Sequence, residues 1–174
     1  MKIKIEVFLI ITLVFINLSC ATLNREDEYC SILKEARRGE TDFAFIKLKD
    51  YLREKPETTH KTGIRFAMCE YYLQTNNYRD AISELTKYII DYPEDKSTVF
   101  ARAILYKILI EYNGDPLVIE KLKKVFFSNY LFLAFSKSKA KSYTSIFNNT
   151  YKIIEYVDKI EVFKNNALFL KITP

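Results

Sequence analysis

Glycine, proline and histidine are scarce in this chain of 174 residues, which has 3 Gly, 4 Pro, 1 His and no Trp. So few turn-forming residues argue against an all-β fold with many tight turns. A disordered chain is also excluded, because 49% of the residues are hydrophobic. The composition therefore predicts one domain rich in helix, and its length suffices to bury a core without disulfides or metal.

Residues that carry catalysis are few as well. His60 is expected in the first turn of a helix, where solvent surrounds it. The cysteines lack metal-ligand spacing, and the sequence contains neither a glycine-rich phosphate loop nor a GxSxG motif. Cys30 and Cys69 either pair as a disulfide or pack as buried side chains. We therefore predict a non-enzyme without metal or cofactor, and the alternative is a divergent hydrolase of envelope polymers.

The N-terminus is typical of a signal peptide. Two lysines precede a run over residues 7–16 that is apolar except for Thr12. As a helix this run would span about 15 Å, half of a hydrocarbon core, so a permanent transmembrane helix is the weaker interpretation. Leu18-Ser19-Cys20 resembles the lipobox of bacterial lipoproteins. The resemblance implies a signal peptide over residues 1–19, a covalent lipid on Cys20 and a tether over residues 20–27, and an ordinary cleaved signal peptide is the alternative.

Charge is divided unevenly along the rest of the chain. Residues 20–115 carry 15 Lys and Arg against 17 Asp and Glu, whereas residues 116–174 carry 10 against 4. The basic part suits anionic lipid headgroups or an acidic partner, although solvated lysines on a helix would give the same pattern. The excess is too modest to predict binding to nucleic acid.

A repeat with a period of 37 residues organises the middle of the chain. Small, apolar, aromatic and proline positions recur in one phase: Ala44, Leu48, Tyr51 and Pro56; Ala81, Leu85, Tyr88 and Pro93; Val118 and Leu122. The same step relates Gly39, Asn76 and Asn113, residue types that tolerate the left-handed conformation at a helix end. Each copy predicts two helices, the first ones over residues 27–38, 59–75 and 96–112, and the second ones over residues 41–55, 78–92 and 116–128.

The middle copy is similar to the tetratricopeptide repeat (TPR). It has the small residue, the aromatic residue and the closing proline of that family at matching spacing: Cys69, Tyr72, Ala81, Leu85 and Pro93. The resemblance implies TPR-like repeats over residues 28–130 in an all-α, right-handed superhelix of three to four antiparallel helix pairs. An unrelated antiparallel helical bundle is the alternative.

A lipid-anchored TPR protein resembles the BamD family of outer-membrane β-barrel assembly lipoproteins. The resemblance implies a scaffold at the periplasmic face of the outer membrane, which binds proteins or peptides, among them a β-barrel assembly subunit. Stacked first helices form a concave surface that suits such partners. The TPR resemblance implies that four residues of this chain would line the surface: Phe66, Glu70, Lys107 and Glu111. A surface-exposed lipoprotein that binds extracellular ligands is the alternative.

The C-terminal segment is expected to be helical too. Its aromatic and apolar residues follow a helical spacing: Tyr143, Phe147, Tyr151, Ile154 and Val157. Residues 131–174 are therefore predicted to form a degenerate fourth repeat or C-terminal capping helices, or residues 141–163 form one long helix. Residues 167–172 are expected to be a short extended tail.

Overall fold

The computed structural model describes residues 28–128 and 138–174. Six helices lie in the first range: 28–37 (α1), Thr41–Glu54 (α2), Lys61–Gln74 (α3), Tyr78–Asp91 (α4), Thr98–Glu111 (α5) and Pro116–Phe126 (α6). Four strands lie in the second: Ser138–Thr144 (β1), Thr150–Tyr156 (β2), Ile160–Lys164 (β3) and Ala167–Ile172 (β4). The expected signal peptide, the tether and Cys20 lie outside the described residues.

Local sequence sets where the helices begin and end. The side chain of Asp115 accepts a hydrogen bond of 2.8 Å from the amide of Leu117, and Pro116 is the first residue of α6. Three residues with positive φ follow α1, α3 and α5: Gly39 at 85°, Asn76 at 57° and Asn113 at 51°. The predicted left-handed turns are thus confirmed, and each helix lies close to its expected range.

Neighbouring helices pack through the repeat positions. Ala44 and Leu48 of α2 are fully buried in a cluster that includes Ile64 of α3. Ala81 and Leu85 of α4 are fully buried in a second cluster, which extends to α5. Each buried leucine contributes on the order of 2 kcal/mol to stability. The recurring positions therefore stabilise the contacts between neighbouring helices.

The strands form one antiparallel sheet in the order β1-β2-β3-β4. Asn165 and Asn166 both have positive φ and make the two-residue turn between β3 and β4, as the twist of a hairpin requires. Along β2, Tyr151 and Ile153 are buried, whereas Lys152 is exposed. This alternation shows that one face of the sheet packs against the helices.

The predicted all-α fold is wrong, because the protein combines six helices with a four-stranded sheet in its described residues. The fourth repeat or capping helices expected within residues 131–174 are absent from residues 138–172, and the long helix over residues 141–163 is replaced by β1, β2 and β3. The segment TYKIIEY of β2 is rich in aromatic and β-branched residues. Strands β1 and β3 pair with its backbone on both sides, and packing against the helices buries alternate side chains. Residues 167–172 are extended, but as strand β4 of the sheet rather than as a free tail.

Candidate protein-binding surface

The sheet covers the surface of α3 and α5 on which a partner was expected to bind. Phe66 of α3 is fully buried, and its ring centroid lies 5.0 Å from that of Tyr143 and 5.7 Å from that of Tyr151. The ring of Phe100 on α5 lies 5.9 Å from that of Tyr151. The chain's own strands β1 and β2 therefore occupy this surface.

Glu70 of α3 is buried at the same contact. Its Oε1 accepts hydrogen bonds from the hydroxyl of Tyr151 at 2.7 Å and from Nδ2 of Asn149 at 3.0 Å. Its Oε2 has no hydrogen-bond partner among the described residues. Burial raises the pKa of the Glu70 carboxyl, although the nearby Ser145, the hydrogen bonds from Tyr151 and Asn149, and the charge of Lys164 act in the opposite direction. Glu70 thus joins helix to sheet and is closed to solvent.

Lys107 and Glu111, the other two residues predicted for this surface, lie in the second half of α5. They form an ion pair with each other. Lys107 Nζ also lies 5.1 Å from the ring centroid of Phe169 in β4. Phe66 and Glu70 are thus buried beneath the sheet, and Lys107 and Glu111 pair with each other beside it. The four predicted residues therefore do not form an open surface.

The predicted repeat-packing residues fall into three groups. Those in the core are Ala44, Leu48, Tyr51, Cys69, Ala81, Leu85 and Tyr88. Those that are partly buried against it are Tyr72 and Leu122. Those that are exposed are Pro56, Pro93 and Val118. The third copy thus differs from the first two at the equivalent of Ala44 and Ala81.

Helix α6 also carries an exposed apolar face. Leu117, Val118 and Val125 are 72%, 38% and 44% exposed, and the exposed Lys121 lies between them. Residues at i, i+4 and i+8 share one side of a helix, so Leu117, Lys121 and Val125 lie in a row. We name these four residues the end face. Of the described elements, α5 alone packs extensively against α6.

A polar cleft of about 460 Å³ lies between α1, the start of α3 and the turn that follows β1. The ring of His60 stacks on that of Tyr29 at 3.8 Å, and Lys96 lies at the rim. Asp95 accepts hydrogen bonds from the amide and hydroxyl of Ser97, and although burial opposes them, these bonds lower the pKa of Asp95. The carboxylate in the lining of the cleft is therefore already engaged by Ser97.

Cys30 and Cys69 are both free thiols, the first exposed and the second buried, so the structure has no disulfide between them. Within residues 28–128 and 138–174, three or more potential metal ligands do not come together at any point. The described helices include none with the length and hydropathy to cross a bilayer.

The sequence did not identify Tyr151 and Asn149 as partners of Glu70. The signal that was available is the pair Asn165-Asn166 between two apolar segments, which is typical of a hairpin.

No protein-family model matches this chain, and no curated protein or solved structure is significantly similar to it.

Proposed function

We propose that this protein is a bacterial envelope lipoprotein, anchored by a lipid on Cys20, whose helical repeats form a scaffold for another protein. The observation that carries the proposal is the end face. The packing positions of the first two repeats are buried in the core, whereas Val118 and Val125 at the equivalent positions of α6 remain exposed. Apolar side chains grouped on one side of a helix are a common feature of protein-binding surfaces.

The surface of α3 and α5 plays no part in this proposal, since the sheet covers it. A partner would instead contact the outer side of the repeats. By the resemblance to lipid-anchored TPR proteins, the partner belongs to the machinery that assembles outer-membrane β-barrels.

The anchor is tested by fractionating cells that express Cys20→Ala. We expect this variant in the soluble fraction, because the thiol that carries the acyl chains is gone. Cys30→Ala is the matched control and stays with the membrane, since Cys30 is an exposed residue of α1 that carries no lipid in this proposal. Membrane association of Cys20→Ala equal to that of the control would refute the anchor.

The scaffold function is tested by cross-linking intact cells, extracting the membranes with mild detergent and purifying the protein. Photo-reactive residues are placed on the outer sides of several helices, at the exposed positions Phe43, Ile90 and Leu117. Recovery of a β-barrel assembly subunit supports the proposal. Repeated absence of any cross-linked protein at every one of these positions contradicts it.

A further inference from the structure

Two basic side chains line the polar cleft between α1 and the start of α3. Arg37 is the last residue of α1, and Lys96 belongs to the linker between α4 and α5. Both are exposed, and neither forms an ion pair with another described residue. The Nζ of Lys96 lies 5.9 Å from the ring centroid of Tyr143, which also lines the cleft. An anion in the cleft would therefore meet two charges that no described carboxylate neutralises.

Asp95 is the one acidic side chain among the described residues that line this cleft. Its Oδ1 accepts hydrogen bonds from the amide and hydroxyl of Ser97 and, at 3.3 Å, from the hydroxyl of Tyr88. These donors stabilise the charge of Asp95 within the protein. Since Arg37 and Lys96 outnumber this single carboxylate, the lining has a net positive charge.

An adjoining cleft of about 490 Å³ shares Lys96 with the first and is lined by Arg102 and Lys141 as well. Its lining also includes Glu94, and Lys141 is paired with Glu155 at 3.5 Å. The first cleft is therefore the better site for an anion, whereas the second extends the basic surface beyond Lys96.

The first cleft lies beside the start of α1, and thus close in sequence to the proposed lipid. Tyr29 in the first turn of α1 lines the cleft, where its ring stacks on that of His60. Tyr29 follows Cys20 by nine positions. A chain of this length spans at most about 30 Å. With the proposed lipid on Cys20, this side of the protein is therefore held near the headgroups of the leaflet.

We propose that the cleft binds the phosphate of an anionic lipid headgroup, between Arg37 and Lys96, in the leaflet to which Cys20 anchors the protein. This inference rests on the proposed lipid anchor and adds the orientation of the domain on the membrane. A guanidinium group donates in the geometry that suits two phosphate oxygens, and the ammonium group of Lys96 supplies a second charge. Two basic residues bind a leaflet more weakly than acyl chains do, so this contact orients the domain and the lipid anchors it.

The test measures binding of the full, unlipidated chain of Cys20→Ala to lipid vesicles by flotation. Vesicles of phosphatidylcholine alone are compared with vesicles of equal parts phosphatidylcholine and phosphatidylglycerol. We expect tighter binding to the anionic vesicles, because their surface charge attracts the basic residues of the cleft. Equal binding to the two compositions overturns the proposal.

Two double variants in the Cys20→Ala chain locate the contact. Arg37→Gln with Lys96→Gln is expected to weaken binding to the anionic vesicles by at least about tenfold, since each basic residue near a leaflet contributes about fivefold. Arg38→Gln with Lys87→Gln is the matched control, because it removes the same charge from exposed residues outside the lining of the cleft. We expect it to weaken binding by less than about threefold. An equal loss in the two double variants overturns the proposal, because overall charge alone would then explain the binding.

A variant without any change of charge tests whether the headgroup enters the cleft. A Cβ at Gly63 would lie 3.7 Å from Cδ1 of Ile146, and both residues line the cleft. Gly63→Leu in the Cys20→Ala chain therefore narrows the space, and it should weaken binding to the anionic vesicles by at least about threefold. Unchanged binding by a folded Gly63→Leu variant contradicts a headgroup inside the cleft.

A soluble phosphate ester has the same chemistry as the headgroup and would give a different result. Calorimetry with glycerol phosphate measures its binding to the full chain. If Arg37→Gln with Lys96→Gln abolishes that binding but leaves binding to the anionic vesicles unchanged, the ligand is soluble and the proposal is wrong.

The failure of this inference can be separated from that of the lipid anchor. Cell fractionation of Cys20→Ala against Cys30→Ala tests the anchor. The vesicle assay uses a chain that carries no lipid on Cys20, so its result depends on the cleft alone. Release of Cys20→Ala from cell membranes together with equal loss in the two double variants would leave the anchor and remove the headgroup site.

Discussion

The hydroxyl of Tyr151 donates a hydrogen bond of 2.7 Å to Oε1 of Glu70, which joins strand β2 to helix α3 across 81 residues of sequence. Both side chains are buried, so neither can exchange this partner for water. A buried polar group without its partner costs about 1–3 kcal/mol. This contact is therefore a sensitive measure of how firmly the sheet is held on the helices.

Removal of the Tyr151 hydroxyl tests this contact. Tyr151→Phe is expected to lower the free energy of unfolding by about 1–2 kcal/mol, because Glu70 loses one of its two donors while the ring packing is kept. Chemical denaturation measures the change. Tyr156→Phe on the same strand is the control, since its hydroxyl has no hydrogen-bond partner among the described residues, and an equal loss in the two variants would contradict the assignment.

Stability is expected to depend on pH through Glu70. Because burial raises the folded pKa of Glu70 above its ordinary value of 4.5, the folded state holds the proton more tightly than the unfolded state. This group therefore stabilises the fold most at pH below 4.5, and the contribution is lost as pH rises through the folded pKa. The free energy of unfolding is measured as a function of pH. The series starts at about pH 4, which is near the pKa of a free carboxyl.

Glu70→Gln should remove this component of the pH dependence, because the amide keeps an acceptor for Tyr151 and Asn149 and does not titrate. Glu94→Gln is the matched control at an exposed position and should leave the pH profile unchanged. A profile that is identical in wild type and Glu70→Gln would show that folding does not raise the pKa of the Glu70 carboxyl.

A substitution of Phe66 tests whether the sheet covers the surface of α3. Its ring contacts two tyrosines of the sheet, so Phe66→Ala is expected to lower the free energy of unfolding by about 3–5 kcal/mol. Phe43→Ala on α2 is the control, because that ring is 66% exposed, and it should change stability by less than about 0.5 kcal/mol. Thermal or chemical unfolding compares the two. A small effect at both positions would mean that the sheet does not cover α3.

The two cysteines of the helical part are expected to differ in reactivity. Cys30 is exposed, whereas Cys69 is buried, and burial raises the pKa of its thiol. In folded Cys20→Ala, a maleimide reagent should modify Cys30 rapidly and leave Cys69 unmodified, as mass spectrometry of peptides would show. Both thiols should react in denaturant, and rapid modification of Cys69 without denaturant would argue against the core packing.

The helices could be predicted from the sequence because the residues that determine where they begin and end lie close together in the chain. The cap of α6 involves Asp115 and Leu117, which are two residues apart. The left-handed turns at Asn76 and Asn113 need only a residue type that tolerates positive φ. Packing positions such as Leu48 and Leu85 could be found because the period of the repeat aligns them.

The sheet was missed because its residues fit two periodicities. Tyr143, Phe147 and Tyr151 have helical spacing, yet Tyr151 and Ile153 alternate as in a strand. In such a segment the choice is made by pairing with neighbouring strands and by burial against the helices, so tertiary contacts override the local pattern.

By itself, the sequence determined the positions of the six helices, their turns and the side chains through which neighbours pack, since these depend on residues within about one repeat of each other. Only the tertiary structure decided that the sheet covers α3 and α5, that Glu70 is buried with Tyr151, and that the end face of α6 stays exposed. These features arise from contacts between distant parts of the chain. The number of residues between two such parts does not determine how far apart they lie in the fold.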